Sequence, residues 1–281
     1  MATITLEELY TFHGIDREVF SRLVTNLART PAESMLILAT WLWLEERGYP
    51  NIILKMVLIS NSMLNLLAKE ASSCLHCLES NNPPSAAAVN GALIITAQLM
   101  NRNISLLMFY QNRFTAISGI KTILNSVCAR ALTDIIINAM GLRMQDVMLN
   151  EPLFVPGFPH PVFGDVTVVP RALNYNLLTV ALWGWDPDSN VSEDDRTMFL
   201  TFSRGFLVTE TEVRELFTRM YGDCVDNVHM QDNIGADEQP LFARLVLHSV
   251  ATVDRILHGR RIAKFRINGK HIWARKYERR D

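Results

Sequence analysis

The chain has 281 residues, 49% of them hydrophobic and 20% charged, with a formal net charge of −2. That length and apolar content suffice to bury two cores, and the near balance of charge excludes a globally basic protein. The N-terminus, Met1-Ala2-Thr3-Ile4-Thr5-Leu6-Glu7-Glu8, is acidic and lacks the basic and long apolar regions of a secretory signal, so the four cysteines are expected as reduced thiols and the protein is expected in the nucleus, the cytoplasm or both.

Residues 1–150 are expected to form an α-helical bundle. Thr30-Pro31-Ala32-Glu33 combines a cap, a first-turn proline and a capping-box glutamate, and predicts a helix through Trp41 and Trp43 to Gly48. Further helices are predicted over 51–79, 84–100, 103–117 and 119–140, separated by Asn81-Asn82-Pro83-Pro84, by Asn101 to Asn103 in sequence, and by Gly119. Lys55, Asn61, Asn65, Asn90 and Gln98 interrupt the apolar runs before any reaches the ~18 residues of a membrane span, so no membrane partner is expected. The Met- and Leu-rich faces are expected to pack as core, with a partner or self-association groove as the alternative. Cys74-Leu75-His76-Cys77 has metal-like spacing, but Cys128 and Cys224 are single and remote. A structural zinc needs four ligands, so the pair reads as two small helical residues and no metal is expected. No phosphate loop, nucleophile elbow or His-Glu-x-x-His motif is present, and neither a cofactor nor an enzymatic activity is expected.

A strap and acidic connection is assigned to 151–194. Pro152, Pro156, Pro159, Pro161 and Pro170 forbid a regular helix, while Phe154, Phe158 and Phe163 make the stretch too apolar for a free linker. It is expected to lie extended on one of the domains, with Trp183 and Trp185 near the junction. Asp186, Asp188, Glu193, Asp194 and Asp195 then form a connection expected to be solvated, with covering of a basic surface as the alternative.

Residues 195–281 read as strand, helix, strand, strand, helix, strand, the ferredoxin-like split βαβ plan, which makes the chain α+β. In the first strand Met198, Leu200 and Phe202 share one face, leaving Phe199 as an aromatic outside the core. Thr209 and Glu212 have capping-box spacing, followed by a stripe of Val213, Leu216, Phe217 and Met220 and a stop at Gly222. Val225, Val228 and Met230 are expected to face the helices. After a polar loop over 231–239, Leu241, Ala243, Leu245 and Leu247 alternate with outward Phe242, Arg244 and Val246. Ser249 caps a helix carrying Val250, Val253, Ile256 and Leu257, ended by Gly259. Asn268-Gly269 predicts a tight turn between extended segments over 264–267 and 272–277, with His271, Trp273, Arg275 and Tyr277 outward.

This unit resembles an RNA recognition motif, a family whose two signature segments lie on the first and third strands. Met198-Phe199-Leu200-Thr201-Phe202-Ser203 is similar to the hexapeptide signature, with Phe199 at the stacking position. Pro240-Leu241-Phe242-Ala243-Arg244-Leu245-Val246-Leu247 is similar to the octapeptide, with Phe242 at one stacking position. Arg244 stands where the octapeptide has a second aromatic, and Pro240 and Leu241 replace its basic residue and glycine. The joining of a helical region to such a motif also resembles an arrangement found in plant proteins.

The resemblance implies binding of single-stranded RNA on the open sheet face through Phe199 and Phe242; the outward strand pattern adds Trp273 as a third platform and Arg244 and Arg275 as cations, and the helical domain of this non-enzymatic protein is expected to recruit a protein partner or to self-associate. Aromatic rings accept unstacked bases and cations meet phosphates, so the residue types agree with that function. Between 255 and 280 the basic residues Arg255, Arg260, Arg261, Lys264, Arg266, Lys270, Arg275, Lys276, Arg279 and Arg280 face a single acid, Glu278. The alternative is an adaptor whose motif contacts protein instead of RNA. Members of that kind use Arg-x-Phe after the second helix, and here Arg260-Arg261-Ile262 lacks the Phe.

Overall fold

The computed structural model describes residues 3–49, 51–144, 147–178, 191–204, 207–231 and 239–279. Two compact units are present: Met1–Phe109 with Gly119–Ser189, and Tyr110–Ser118 with Asn190–Asp281. The fold is α+β, with helices in the N-terminal region and a five-stranded antiparallel sheet at the C-terminus.

In chain order the helices of the N-terminal region are α1 (Leu6–Phe12), α2 (Gly14–Ser21), α3 (Pro31–Glu46), α4 (Ile52–Val57), α5 (Asn61–Glu79), α6 (Ala86–Gly91), α7 (Ile94–Met100), α8 (Leu106–Gln111), α9 (Arg113–Ile123), α10 (Ala129–Ala131) and α11 (Thr133–Ala139). Arg22–Asn26 and Leu124–Cys128 are π-helical turns that continue α2 and α9. Thr30 caps α3 by accepting from the Glu33 amide, and Pro31 sits in its first turn. Met35 through Ala39, with Trp41 and Trp43, are buried, so α3 is apolar all round and serves as the central helix of its unit.

The single helix expected over 51–79 is two. The Arg22 guanidinium donates to the carbonyls of Met56, Val57 and Ile59 at 2.9, 3.2 and 2.7 Å, satisfying the end of α4, and the Ser60 hydroxyl accepts from the Met63 amide to open α5. Gly119, expected as a break, lies inside α9. An added Cβ there would stand 2.3 Å from Cδ1 of the buried Trp43 indole, so the glycine allows a close approach.

An unexpected two-stranded ladder pairs β1 (Thr3–Thr5) with β2 (Asn176–Leu178). The proline-rich strap packs as extended chain: Leu153 bridges Val168, His160 bridges Gly164, and Val155, Phe158, Phe163, Val166 and Val168 are buried. At Gly157, with φ of 107°, the strap presses on Ala32, leaving no room for a side chain. Phe154 points away and is exposed. Trp183, Trp185, Asp186 and Asp188 lie outside the described residues.

The second unit holds β3 (Thr197–Phe202), α12 (Glu210–Tyr221), β4 (Val225–Met230), β5 (Phe242–Leu247), α13 (Val250–Leu257), β6 (Ala263–Ile267) and β7 (Lys270–Lys276), in the sheet order β4-β5-β3-β7-β6. Its core is Met198, Leu200, Phe202, Val213, Leu216, Phe217, Leu245, Val253, Ile272, Ala274 and their neighbours. Thr209 and Glu212 form the capping box of α12, and Gly222 ends it at φ of 83°. Met220, expected on the buried stripe, is exposed. In β4 a bulge between Val225 and Asn227 lets Val225 and Val228, three residues apart, both point inward. Val246, outward by alternation, is buried, because at that end of β5 the 3-10 turn Glu193–Arg196 lies on the sheet beside Thr197. Leu241, expected inward, is 37% exposed because it precedes the strand. Tyr110–Ser118 belongs to this unit through Asp254, a buried carboxylate on α13 that accepts from the amides of Phe114 and Thr115 at 3.0 and 2.8 Å and from the Thr115 hydroxyl at 2.6 Å.

Candidate nucleic-acid interface

Register determines which side chains meet on the outer sheet face. β3 lies between β5 and β7, with Phe199 opposite both Arg244 and Arg275, and Thr201 opposite both Phe242 and Trp273. Phe199 and Phe242 are therefore diagonal neighbours on adjacent strands, within reach for aromatic side chains. Their rings are nearly parallel, at 23°, with centroids 5.5 Å apart. Phe242 is 38% exposed and Phe199 is half-buried.

The cations are interleaved with these rings. The Arg275 guanidinium carbon stands 4.6 Å from the centre of the Phe199 ring, a cation–π contact. Arg244 is exposed and lies 5.9 Å from the Tyr277 ring. Trp273 is half-buried on β7, 6.0 Å from His271 and opposite Lys264 of β6. Arg266, opposite His271, adds another exposed cation on the same face. Phe199, Phe242, Arg244, Trp273 and Arg275 thus share one face of one sheet, with Phe199 meeting Phe242, Arg244 and Arg275 and Trp273 placed one pair further along β7.

Two further side chains belong to this face. His229 lies opposite Arg244 on β4, and the bulge hides the alternation that would have placed it there. With Gln231, Phe242, Arg244 and Glu210 it lines a groove of ≈ 550 Å³ at that edge of the sheet. Tyr277, expected outward, continues β7 by donating its amide to the Thr197 carbonyl at 3.1 Å.

Glu212 helps hold the β6-β7 hairpin in place. Lys270 Nζ donates to its two carboxylate oxygens at 2.8 and 2.9 Å, and Asn268 donates at 3.1 Å. The Lys270 hydrogen bond first, then the Thr209 amide, hold the Glu212 carboxyl down at about 2. At the opposite end of the sheet Lys276 Nζ reaches the carbonyls of Asp194 and Thr197, and Arg196 of the same turn donates to the Leu247 carbonyl at 2.7 Å.

Elsewhere, Cys74 and Cys77 are buried on α5. Burial pushes the Cys74 thiol well above its ordinary range, and Cys77 Sγ donates to the Leu106 carbonyl at 3.4 Å. Among the described residues no group of three or more His, Cys, Asp or Glu side chains is arranged to hold a metal ion. No helix among them is long and apolar enough to cross a membrane. Comparisons of the chain with protein-family models, with curated proteins and with solved structures give no match.

Proposed function

We propose that the C-terminal unit is a degenerate RNA recognition motif of ferredoxin-like plan, extended by one edge strand, that binds single-stranded RNA on its outer sheet face. The observation that carries this reading is the parallel Phe199–Phe242 pair flanked by Arg244 and Arg275. Bases stack on such rings for about 1–3 kcal/mol each, without regard to sequence, and guanidinium groups pair with phosphates or stack in turn. Because Arg275 already lies on Phe199, a base reaches that ring by displacing the guanidinium or by stacking on it; Phe242 is the more open platform. The helical unit recruits a protein partner or a second copy of the chain, and the protein acts without enzymatic chemistry in the nucleus, the cytoplasm or both.

Anisotropy of a labelled random single-stranded RNA, titrated with the full chain, tests the reading. Phe199→Ala combined with Phe242→Ala is expected to weaken binding at least tenfold while the thermal midpoint changes little, since neither ring belongs to the buried core. Unchanged affinity in the double variant rejects the platform. The adaptor reading, favoured by Arg244 in place of a stacking aromatic, predicts no RNA binding and protection of the same face by a protein partner.

A further inference from the structure

A cavity of ≈ 250 Å³ lies within the helical unit, remote in sequence from the outer sheet face and made by three independent periodicities. Leu6 and Tyr10 are one turn apart on α1. Asn125, Ala129 and Thr133 repeat every four residues along the helical path from the second π turn into α11, which brings them to one side. Thr167, Val169 and Arg171 repeat every two residues along the extended end of the strap, with Val166 and Val168 turned into the core.

Its lining is divided by polarity. Leu6, Ala129 and Leu177 are buried, whereas Asn125, Arg130 and Thr167 are exposed and Arg171 is half-buried, so the inner wall is apolar and the mouth is polar and cationic. Neither arginine forms an ion pair with a described residue. The natural helical partner of Arg130 is Asp134, four residues on, but Arg17 holds that carboxylate through two hydrogen bonds at 2.8 and 2.7 Å. Arg171 is positioned by the Tyr175 ring, 5.0 Å from its guanidinium carbon. Although Arg130 is largely exposed, the partial covering of its guanidinium first, and the nearby Arg171 charge second, disfavour its protonated form, which places the two cations near each other at the mouth.

We propose that this cavity binds a small organic phosphate, a phosphomonoester with a short apolar body, whose phosphate is held between Arg130 and Arg171 and whose body rests against Leu6, Ala129 and Leu177. A phosphomonoester carries close to two negative charges at neutral pH, matching two guanidinium groups, and its oxygens suit their forked donors. Thr167 and Asn125 supply a hydroxyl and an amide at the same mouth.

The test is calorimetric titration of the full chain with phenyl phosphate, inorganic phosphate and benzoate, which separate the body from the charge. Phenyl phosphate is expected to bind at least tenfold more tightly than either comparison anion. Arg130→Gln and Arg171→Gln are each expected to weaken it fivefold or more, and Thr167→Glu, which places a carboxylate at the mouth, to abolish it while the unliganded thermal midpoint holds or rises. Phe199→Ala with Phe242→Ala should leave phenyl phosphate binding unchanged, so failure of the sheet reading and failure of this one are distinguishable. Absence of binding, equal affinity for inorganic phosphate or benzoate, retention in the Arg130→Gln/Arg171→Gln double variant, or loss in the sheet variant overturns the proposal.

Discussion

At the scale of single residues, Glu212 shows how a local signal and a distant partner combine. Its capping-box spacing from Thr209 is visible in the sequence, because a hydroxyl three residues before a carboxylate has only the helix N-terminus to satisfy. Its partnership with Lys270, 58 positions along, is invisible there, since spacing says nothing about which loop returns. The pH dependence follows from the lowered carboxyl. Folding keeps Glu212 ionised down to about 2, whereas the unfolded chain protonates it near 4.3, so the stabilisation is complete above that value and is lost between about 4.3 and about 2 as pH falls. Glu212→Gln is expected to lower stability by about 1–2 kcal/mol at pH 7, discounting for partial exposure, and to flatten the acid dependence in that window. Urea unfolding of the full chain at pH 7 and pH 3, with hydrogen exchange of the 263–276 amides to localise the loss, checks it; an acid dependence as steep as in the parent contradicts it.

At the scale of elements, periodicity reads well where one rule acts and poorly where two compete. The alternation in β5 and β7 places Phe242, Arg244, Trp273 and Arg275 outward because their register is regular. In β4 the bulge shifts the phase, and His229 is lost to sequence reading. Gly119 fails for a different reason: glycine is a weak breaker, costing a helix only about 1 kcal/mol relative to alanine, and packing against Trp43 outweighs that. The magnitudes decide the sign of a substitution there. Gly119→Ala gains about 1 kcal/mol of helix propensity but sets a methyl 2.3 Å from an indole that is itself 2% exposed and has nowhere to move, and overpacking of this kind costs about 1–3 kcal/mol or more. The expected outcome is a fall of several degrees in the thermal midpoint of the helical unit, read by Trp fluorescence or calorimetry; an unchanged or raised midpoint would show that the Trp43 ring yields freely.

At the scale of the whole molecule, a net charge of −2 conceals a strongly uneven distribution, and that unevenness yields the last prediction. The basic residues after 255 were legible as a block, but which of them are held by other groups of the protein was not. Lys270 is committed to Glu212 and Lys276 to backbone carbonyls, whereas register puts Arg244, Lys264, Arg266 and Arg275 on the outer face around the aromatic pair. Equally illegible was the membership of Tyr110–Ser118 in the C-terminal unit, because Asp254 meets the start of α9 across about 140 residues of chain. If single-stranded RNA lies across the outer face, each of those four cations that meets a phosphate releases condensed counterions, so the plot of log affinity against log salt is expected to fall with a slope of about −3. Replacing Arg244, Lys264 or Arg266 singly by Gln should make that slope shallower by about 0.7 each, while the Phe199→Ala/Phe242→Ala variant should lower affinity at every salt concentration and leave the slope in place. A parent slope near zero, or a slope that changes with the rings and not with the cations, would show that phosphates do not track the cations of this face.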